Sequence, residues 1–258
     1  MVDLHTHILP GIDDGPADMD GSLVLARELA AEGVETVAAT PHLRGDHPGV
    51  VVGELAARTA ALGERLAEAG VPLAVVPAAE VSLEWAQEAT DAELGLASFD
   101  QRGTDVLVET PYEALTDTFE EMIFGIMLRG FRILLAHPER SVSFQRDIER
   151  LEALVGRGVV LQVTADAVTG SGRRSPGRRL GSALLRSGLA AVLASDAHGH
   201  TRRASLATGV AAARRLAPAR AEWMATAAPA AILAGEPLGP PPEPDTGHRV
   251  RLLGRRRG

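Results

Sequence analysis

Two histidines stand two positions apart almost at the start of the chain, in the run Val2-Asp3-Leu4-His5-Thr6-His7. Side chains of a β-strand alternate between its two faces, so a strand here would turn His5 and His7 to the same side. Two imidazoles on one side can bind a metal ion together. A pair this short indicates metal chemistry only when other ligand-type residues join it.

Ligand-type residues follow most of the other apolar runs of the chain. Each has an ordinary alternative: Asp13-Asp14-Gly15-Pro16 is also typical of a turn, and Asp196 could cap a helix. Together, however, five histidines and four carboxylates at one edge of a sheet would be costly without a cation. These nine candidate metal ligands are His5, His7, Asp13 or Asp14, His42, Glu80, Glu109, His137, Asp196 and His198.

The number of these ligands predicts more than one metal ion. Nine side chains exceed the needs of a single site, and a shared carboxylate can bridge two ions that lie about 3.5–4 Å apart. Imidazole and carboxylate ligands without sulfur suit manganese, iron or zinc. The chain contains no cysteine, which excludes thiolate metal sites, disulfides and a cysteine nucleophile.

Seven short apolar runs are predicted to position these ligands. Continuous apolar runs are typical of strands buried on both faces, and helical patterns that stop at glycine lie between them. This alternation predicts parallel β/α units in a closed or nearly closed barrel, with the active site at the carboxyl ends of the strands. Only the sixth run lacks an obvious ligand at its end. The runs are Val2–His5, Glu35–Thr40, Leu73–Ala79, Val106–Thr110, Arg132–Ala136, Val159–Thr164 and Ala190–Ser195.

The composition of the 258 residues narrows the class of protein. Hydrophobic residues make up 45% of the chain and aromatic residues only 3%, so we expect a large core of alanine, valine and leucine. A net charge of −8 argues against nucleic-acid binding. We expect one domain over residues 1–235, followed by a proline-rich linker and a flexible basic tail over residues 236–258.

The sequence was also compared with the patterns of targeting and membrane-spanning segments. The chain enters its first apolar run without a basic or apolar leader segment, and no apolar run is long enough to cross a membrane. We therefore expect a cytoplasmic protein without stable membrane insertion. No pattern indicates an oligomeric state.

Four segments of the chain resemble one known family. They are similar to the PHP (polymerase and histidinol phosphatase) superfamily, and most similar to its bacterial metal-dependent protein tyrosine phosphatases, the CpsB/YwqE type associated with capsule and exopolysaccharide loci. The resemblance runs from residue 2 to about residue 235, and the long first segment carries most of its specificity. The segments are Asp3–Gly15, Ala39–His42, Ala136–Arg140 and Ser195–His198.

The resemblance implies a fold and a cofactor set. The fold would be α/β, a distorted seven-stranded (β/α)7 barrel of the PHP type in a single domain. It would hold three divalent metal ions, with manganese favoured and iron or zinc as alternatives. One ion would bind His5, His7, Glu80 and Asp196, a second would share Glu80 and add Glu109 and His137, and the third would bind Asp14, His42 and His198.

The reaction implied by the resemblance is phosphomonoester hydrolysis. A hydroxide that bridges two ions would attack phosphorus, while Arg140 and Arg203 hold the phosphoryl oxygens, with Arg202 as the alternative to Arg203. His42, His198 or a metal-bound water would protonate the leaving group. A phosphorylated protein, such as a bacterial tyrosine kinase, would be the substrate.

Departures from the family's pattern leave other functions open. The chain has Ser141 and Gly199 where family members often have tyrosine and asparagine, and the loop Leu43–Pro48 lacks their aromatic residues, which are natural partners for a phenyl ring. A PHP phosphatase for histidinol phosphate or a nucleotide is therefore one alternative. An amidohydrolase is another, although its usual binuclear site needs a carboxylated lysine and the chain has no lysine. A non-catalytic protein of this fold is the third, but it would be expected to have lost ligands.

Overall fold

The apolar runs form short strands that pair with their neighbours in parallel. A computed structural model describes residues 1–169 and 175–243 of the chain. Within these ranges the strands are β1 (Val2–Thr6), β2 (Thr36–Ala39), β3 (His42–Leu43), β4 (Ala74–Pro77), β5 (Glu80–Val81), β6 (Asp105–Glu109), β7 (Arg132–Ala136), β8 (Val160–Thr164) and β9 (Ala190–Ala194).

Two of the predicted strands are interrupted, which turns seven runs into nine strands. Pro41 separates β2 from β3, because proline has no backbone N–H to donate to a ladder, and a similar break separates β4 from β5. The register continues across both breaks, so that His42 lies opposite Glu80. Two predicted ligands therefore stand side by side on adjacent strands.

The strands form two sheets, in the orders β1-β2-β4 and β3-β5-β6-β7-β8-β9. The first strand meets the segment after the last one, where the N–H of Asp196 donates to the carbonyl of His5 at 2.9 Å. The buried carboxylate of Asp3 supports the same junction, because it accepts the N–H of Ser195 at 3.1 Å. The predicted α/β architecture with parallel strands is confirmed, and its strand ends meet where the ligands lie.

Helices connect the strands and cover the sheets. Glycine ends some of them as predicted: Gly188, with a φ of 77°, caps α9 in the left-handed region. The helices are α1 (Met19–Ala31), α2 (Leu55–Glu68), α3 (Leu83–Glu88), α4 (Asp91–Ala97), α5 (Phe119–Leu128), α6 (Val142–Arg146), α7 (Glu149–Gly156), α8 (Asp166–Thr169), α9 (Pro176–Ser187), α10 (Leu206–Ala213) and α11 (Ala227–Leu233).

The hydrophobic core consists mainly of aliphatic residues, as the low aromatic content predicts. A large cluster that includes Leu25, Leu62 and Leu184 brings side chains of the helices together with those of the strands. A smaller cluster includes Leu4 of β1 and Leu134 of β7. The strands contribute to both clusters, which explains why their sequences are continuously apolar.

The described part of the chain continues past the predicted domain boundary at residue 235. Leu238 packs against the smaller cluster. Residues 244–258 of the predicted tail lie outside the described residues, so the boundary and the tail stay predictions. Within the described ranges, no helix combines the length and the apolar character needed to cross a membrane.

Close packing at Gly209 of α10 yields a test of the fold. A methyl group added there would lie 2.6 Å from the methyl group of Ala165, at the end of β8. We predict that Gly209→Ala lowers the free energy of unfolding by about 1–3 kcal/mol, because the overpacked contact forces the helix away from the sheet. Urea unfolding measures this change.

Gly63→Ala in α2 is the matched control, since no atom lies within 4 Å of its added methyl group. This variant should gain about 0.5–1 kcal/mol from its better helix propensity. Equal unfolding free energies for the two variants would contradict the packing described here.

Candidate metal centre

The structure brings all nine predicted ligands together at the carboxyl ends of the strands. Eight of them are buried, and the side chain of Asp14 is 48% exposed. Their nitrogen and oxygen atoms form four overlapping groups, in each of which all atoms lie within 4.8 Å of one another. The groups are His7, Asp14, His42 and His198; His5, His137 and Asp196; His5, His7 and Glu80; and His42, Glu80 and Glu109.

The two histidines of the opening pair aim ring nitrogens at the same point. Nε2 of His5 lies 3.2 Å from Nε2 of His7. Oε2 of Glu80 and Oδ1 of Asp196 each lie 3.3 Å from Nε2 of His5 and 3.5 Å from Nε2 of His7. Ligands bound to one ion at about 2.0–2.2 Å are about 3 Å apart, so these four atoms are close enough to share an ion.

Hydrogen bonds on the far side of the two rings leave lone pairs at this point. Nδ1 of His7 lies 2.8 Å from Oδ2 of Asp13, and because an ionised carboxylate can only accept, Nδ1 donates. Nδ1 of His5 lies 3.0 Å from the amide oxygen of Gln162, which selects the same tautomer. Both Nε2 atoms therefore offer lone pairs, with the outer partners that metal-binding histidines usually have.

A second group of donors lies around Asp14, nearer to solvent. Nε2 of His198 lies 3.2 Å, and Nε2 of His42 3.6 Å, from Oδ1 of Asp14. Nδ1 of His198 donates to the carbonyl of Asp196 at 2.9 Å, so Nε2 of His198 also offers a lone pair. His7 belongs to this group as well as to the first, which makes the two groups neighbours.

Glu80 connects the remaining ligands. Its Oε1 lies 2.8 Å from Nε2 of His137, and its Oε2 lies 2.9 Å from Nδ1 of His42. Oε2 of Glu109 lies 3.9 Å from Nδ1 of His42, while Oε1 of Glu109 accepts a hydrogen bond from Arg44 at 2.8 Å. The structure thus groups Glu109 with His42 and Glu80, whereas the family resemblance pairs it with His137 and Glu80.

Buried polar atoms without hydrogen-bond partners test whether metal ions fit these residues. Among the described residues, Oε2 of Glu80, Nδ1 of His42 and Nε2 of His198 make no hydrogen bond of good geometry, although the first two atoms lie only 2.9 Å apart. Leaving them unpaired inside the protein would be costly. Because each of them can offer a lone pair, cations between them remove that cost. The donor set, which contains no sulfur, fits manganese, iron or zinc.

The pKa values show how the charges of the histidines and carboxylates at this centre offset one another. Burial lowers the pKa of His7, but Asp13, Asp196 and Glu80 outweigh burial and hold that pKa well above its ordinary value. Burial raises the pKa values of Glu80 and Asp196, but neighbouring histidines hold both well below the ordinary range. A cation can therefore replace a proton on His7, so metal binding should weaken as the pH falls.

Two ligands lie on left-handed backbone, which is uncommon for residues other than glycine. The φ angle is 35° at His137 and 53° at Asp196. Such conformations persist only where the surroundings fix them, and they concentrate at functional sites. Glu139 fixes the first, because its buried carboxylate accepts hydrogen bonds from the N–H and the hydroxyl of Thr164 at the end of β8.

The structure places Arg140 and Arg202, rather than Arg203, at the centre. Nη1 of Arg140 lies 2.6 Å from Oδ2 of Asp196, and Arg202 contacts the same oxygen. The side chain of Arg203 is 76% exposed and pairs with a surface glutamate. Because the carbonyl of Arg202 accepts the N–H of His198 at 2.7 Å, Arg202 is held against the ligands and the next residue turns outward. The expectation for Arg203 is corrected accordingly.

Sequence reasoning missed the roles of three side chains that orient the ligands or border the centre. Asp13 and Gln162 orient His7 and His5, and the signal for Gln162 was a polar residue inside an apolar run. Tyr112 follows β6 and stacks on His137, with ring centroids 5.7 Å apart and an angle of 11° between the rings. No pattern in the sequence pointed to Tyr112.

The chain is similar to one described protein family and to named relatives. The chain matches the family described as "Capsular polysaccharide synthesis, CpsB/CapC" over residues 1–233. It is 33% identical over 202 residues to the tyrosine-protein phosphatase YwqE of Bacillus subtilis (strain 168), covering 77% of each chain. It is 25% identical over 206 residues to a putative tyrosine-protein phosphatase, CapC of Staphylococcus aureus, covering 79% of each chain.

A solved structure is also similar to this chain. It comes from a study of YwqE from Bacillus subtilis and CpsB from Streptococcus pneumoniae, described there as unique metal-dependent tyrosine phosphatases. The TM-score is 0.81 at 27% sequence identity, over 95% of this chain and 99% of the other. The fold described above is therefore shared along almost the whole length of that relative.

The bond between Asp13 and His7 predicts how a residue outside the ligand set supports metal binding. Asp13→Asn keeps the shape of the side chain but removes the charge that holds the proton on Nδ1 of His7. We expect Mn²⁺ affinity to fall about 10-fold to 100-fold, as measured by titration of the metal-stripped protein. Asp20→Asn, at an exposed position of α1, is the charge-matched control. Equal affinities for both variants would refute the role of Asp13.

Proposed function

The chain belongs to the CpsB/CapC family, and from this premise we propose that it is a metal-dependent protein tyrosine phosphatase of a capsule or exopolysaccharide system. One observation carries the proposal: nine metal-type ligands converge beside two arginines, Arg140 and Arg202, at the ends of the strands. Ligands without arginines would suit many metal hydrolases. The arginines beside them favour a phosphate ester as the substrate.

Three divalent ions are proposed, with manganese favoured and iron or zinc as alternatives. The first would be held by His5, His7, Glu80 and Asp196, the second by Glu80, Glu109 and His137, and the third by Asp14, His42 and His198. Overlap of the donor groups at Glu80 and His42 supports a cluster rather than separate sites. Bound divalent ions would lower the pKa of water and polarise phosphoryl oxygens, which is the chemistry that hydrolysis of a phosphate ester needs.

Arg140 and Arg202 are proposed to hold the phosphoryl group. Both guanidinium groups reach Oδ2 of Asp196, a predicted ligand. A planar guanidinium can donate two parallel hydrogen bonds to phosphoryl oxygens, and its charge offsets the negative charge of the transition state. Because both arginines contact one carboxylate oxygen, both could donate hydrogen bonds to a phosphoryl group that lies beside Asp196.

The proton for the leaving group is proposed to come from a water molecule at the centre rather than from His198 or His42. Burial lowers the pKa of His198, which favours its neutral form. The proton of that neutral ring lies on Nδ1 and is donated to the carbonyl of Asp196. His198 therefore has no proton on the nitrogen that faces the donor group of Asp14. The same holds for His42, whose Nε2 faces Asp14 and would offer its lone pair to the proposed third ion.

Tyr112 favours an aryl phosphate over a small aliphatic one. Its ring covers His137, its hydroxyl accepts a hydrogen bond from Arg140 at 3.1 Å, and 45% of the residue is exposed. A half-exposed ring next to a phosphate-binding arginine can pack against the phenyl ring of a phosphotyrosine. This ring supplies the aromatic contact that the loop Leu43–Pro48 lacks. It favours phosphotyrosine over histidinol phosphate or a nucleotide.

The proposed substrate is a phosphorylated protein, and a bacterial tyrosine kinase is the proposed partner. The relatives YwqE and CpsB, by their names, are tyrosine-protein phosphatases. A net charge of −8 supports the expectation that nucleic acid is not a ligand. The cytoplasm is the proposed location.

A panel of substrates with added Mn²⁺ tests the proposal. We expect kcat/KM to be highest for phosphotyrosine peptides and lower for phosphoserine peptides, histidinol phosphate and phosphodiesters. Tyr112→Leu should lower the ratio of phosphotyrosine to phosphoserine kcat/KM roughly twofold to tenfold, the value of one aromatic contact, while Tyr112→Phe keeps the ratio. A preference for a phosphodiester or an amide would overturn the function. An unchanged ratio in Tyr112→Leu would remove only the role of Tyr112.

The two neighbouring arginines give a matched pair of variants. Arg202→Ala should lower kcat/KM for p-nitrophenyl phosphate about 10-fold to 100-fold, because it removes charge-assisted hydrogen bonds to the phosphoryl group. Arg203→Ala should change kcat/KM less than about twofold, because an exposed ion pair contributes little. Steady-state kinetics at saturating Mn²⁺ measures both. A larger loss in Arg203→Ala than in Arg202→Ala would contradict the placement of these side chains.

A further inference from the structure

A second cluster of arginines lies outside the metal centre, in a cleft bordered by α8, α9 and the segment after α10. We call it the arginine cleft. Its volume is about 670 Å³, within the range of ligand-binding pockets. Among the described residues that line it there is no aspartate or glutamate. Its polar lining consists of Arg178, Arg179, Arg186, Arg215, Thr169 and Ser182.

One of these arginines has a donor that no described residue pairs. Nη1 of Arg178 is buried and makes no hydrogen bond to any residue that the structure describes. An unpaired guanidinium donor is costly, and an oxyanion that draws the partly exposed side chain of Arg178 toward the cleft would pair it. Arg178, Ser182 and Arg186 follow one another at intervals of four along α9, so they lie on one face of the helix.

The start of α9 adds to the positive potential. Arg178 and Arg179 lie in its first turn, where the helix dipole is positive and where cations are unfavourable. Ser175, at the position that usually caps the free N–H groups, makes no side-chain hydrogen bond to them. An anion would offset both effects at this end of the cleft.

Close packing of the helices makes the cleft a preformed feature. A methyl group on Gly181 of α9 would lie 3.1 Å from the methyl group of Ala167 in α8, and one on Gly209 of α10 would lie 2.6 Å from that of Ala165. Both helices thus approach the end of β8 as closely as glycine allows. The arginines are held on a fixed support, which lowers the entropy lost on binding.

The start of α9 contacts the segment that carries Arg140. A methyl group on Gly177, the residue before Arg178, would lie 2.9 Å from the carbonyl oxygen of Glu139. Glu139 precedes Arg140, and Gln145 donates hydrogen bonds to the carbonyls of both residues. Arg178 therefore lies at the end of the cleft nearer to Arg140, and a polypeptide with its phosphate at Arg140 can extend toward it.

We propose that the arginine cleft binds acidic residues of the polypeptide substrate that flank the phosphotyrosine. The inference rests on the proposed phosphatase function. The overall charge of −8 repels an acidic protein. A local cluster of arginines would offset this repulsion where the substrate binds. A small phosphate ester occupies the centre alone and has no part that reaches the cleft.

The test compares two phosphotyrosine peptides of the same length, one with glutamates beside the phosphotyrosine and one with glutamines in their place. Arg178→Gln/Arg186→Gln should raise KM for the glutamate peptide about twofold to tenfold, as expected for two partly exposed ion pairs. Its kcat, its KM for the glutamine peptide and its hydrolysis of p-nitrophenyl phosphate should not change. Added salt should raise the wild-type KM for the glutamate peptide only.

Two further variants keep the test decisive. Arg186→Gln/Arg215→Gln changes two exposed side chains and serves if the loss of Arg178 impairs folding. It should likewise raise KM for the glutamate peptide and leave KM for the glutamine peptide unchanged. Arg58→Gln/Arg65→Gln removes the same charge from α2, away from the cleft, and should leave every KM unchanged. Equal wild-type KM values for the two peptides, or a KM rise shared by both peptides, would overturn the inference. Failure to hydrolyse either peptide would instead overturn the phosphatase function.

Discussion

The buried carboxylate of Glu80 makes the contacts on which the other features of this chain depend. Its two oxygens lie within 2.9 Å of ring nitrogens of His42 and His137, and 3.3 Å separates Oε2 from Nε2 of His5. A carboxylate taken out of water loses several kcal/mol of hydration free energy unless positive charge replaces the water. The neighbouring ring nitrogens meet that need only where they carry a proton or share a metal ion with the carboxylate.

Several unusual local features of the chain bring charged side chains close to Glu80. The break at Pro41 starts β3 at His42, opposite Glu80. The left-handed backbone at Asp196 turns its carboxylate toward the first strand. Asp3 is buried just below, and burial raises its pKa to about 6 although it accepts the N–H of Ser195. Each feature by itself would lower the free energy of unfolding. Together they position the predicted ligands.

Much of this centre was predictable from the sequence because its ligands follow apolar runs directly. The position of a side chain at the end of a parallel strand depends on local pattern, and local pattern is visible in the sequence. Side-chain orientations that depend on tertiary contacts could not be predicted from the sequence. Arg202 and Arg203 are adjacent and identical, yet Arg202 contacts Asp196 whereas Arg203 pairs with a glutamate at the surface. Likewise, Tyr112 reaches His137 from a different loop than the one in which an aromatic residue was expected.

Positive charge is arranged in two layers around the proposed phosphate site. Arg140 and Arg202 lie at the ligands, where they would contact the phosphoryl group itself. The arginine cleft starts at Arg178, after Gly177 packs against the carbonyl of Glu139, and it would contact the polypeptide that carries the phosphate. Tyr112, which contacts His137 and Arg140, would supply the aromatic contact. Such a division would let one fold accept a protein substrate while chemistry stays at the metal ions.

The proposed arrangement is three divalent ions held by the nine side chains around Glu80. Anomalous diffraction from crystals of the manganese-loaded protein tests it most directly. Three peaks are predicted, each at about 2.0–2.3 Å from its ligand atoms, with one of them bound by both His5 and His7. A single peak, or peaks that leave His5 and His7 without an ion, would contradict this arrangement.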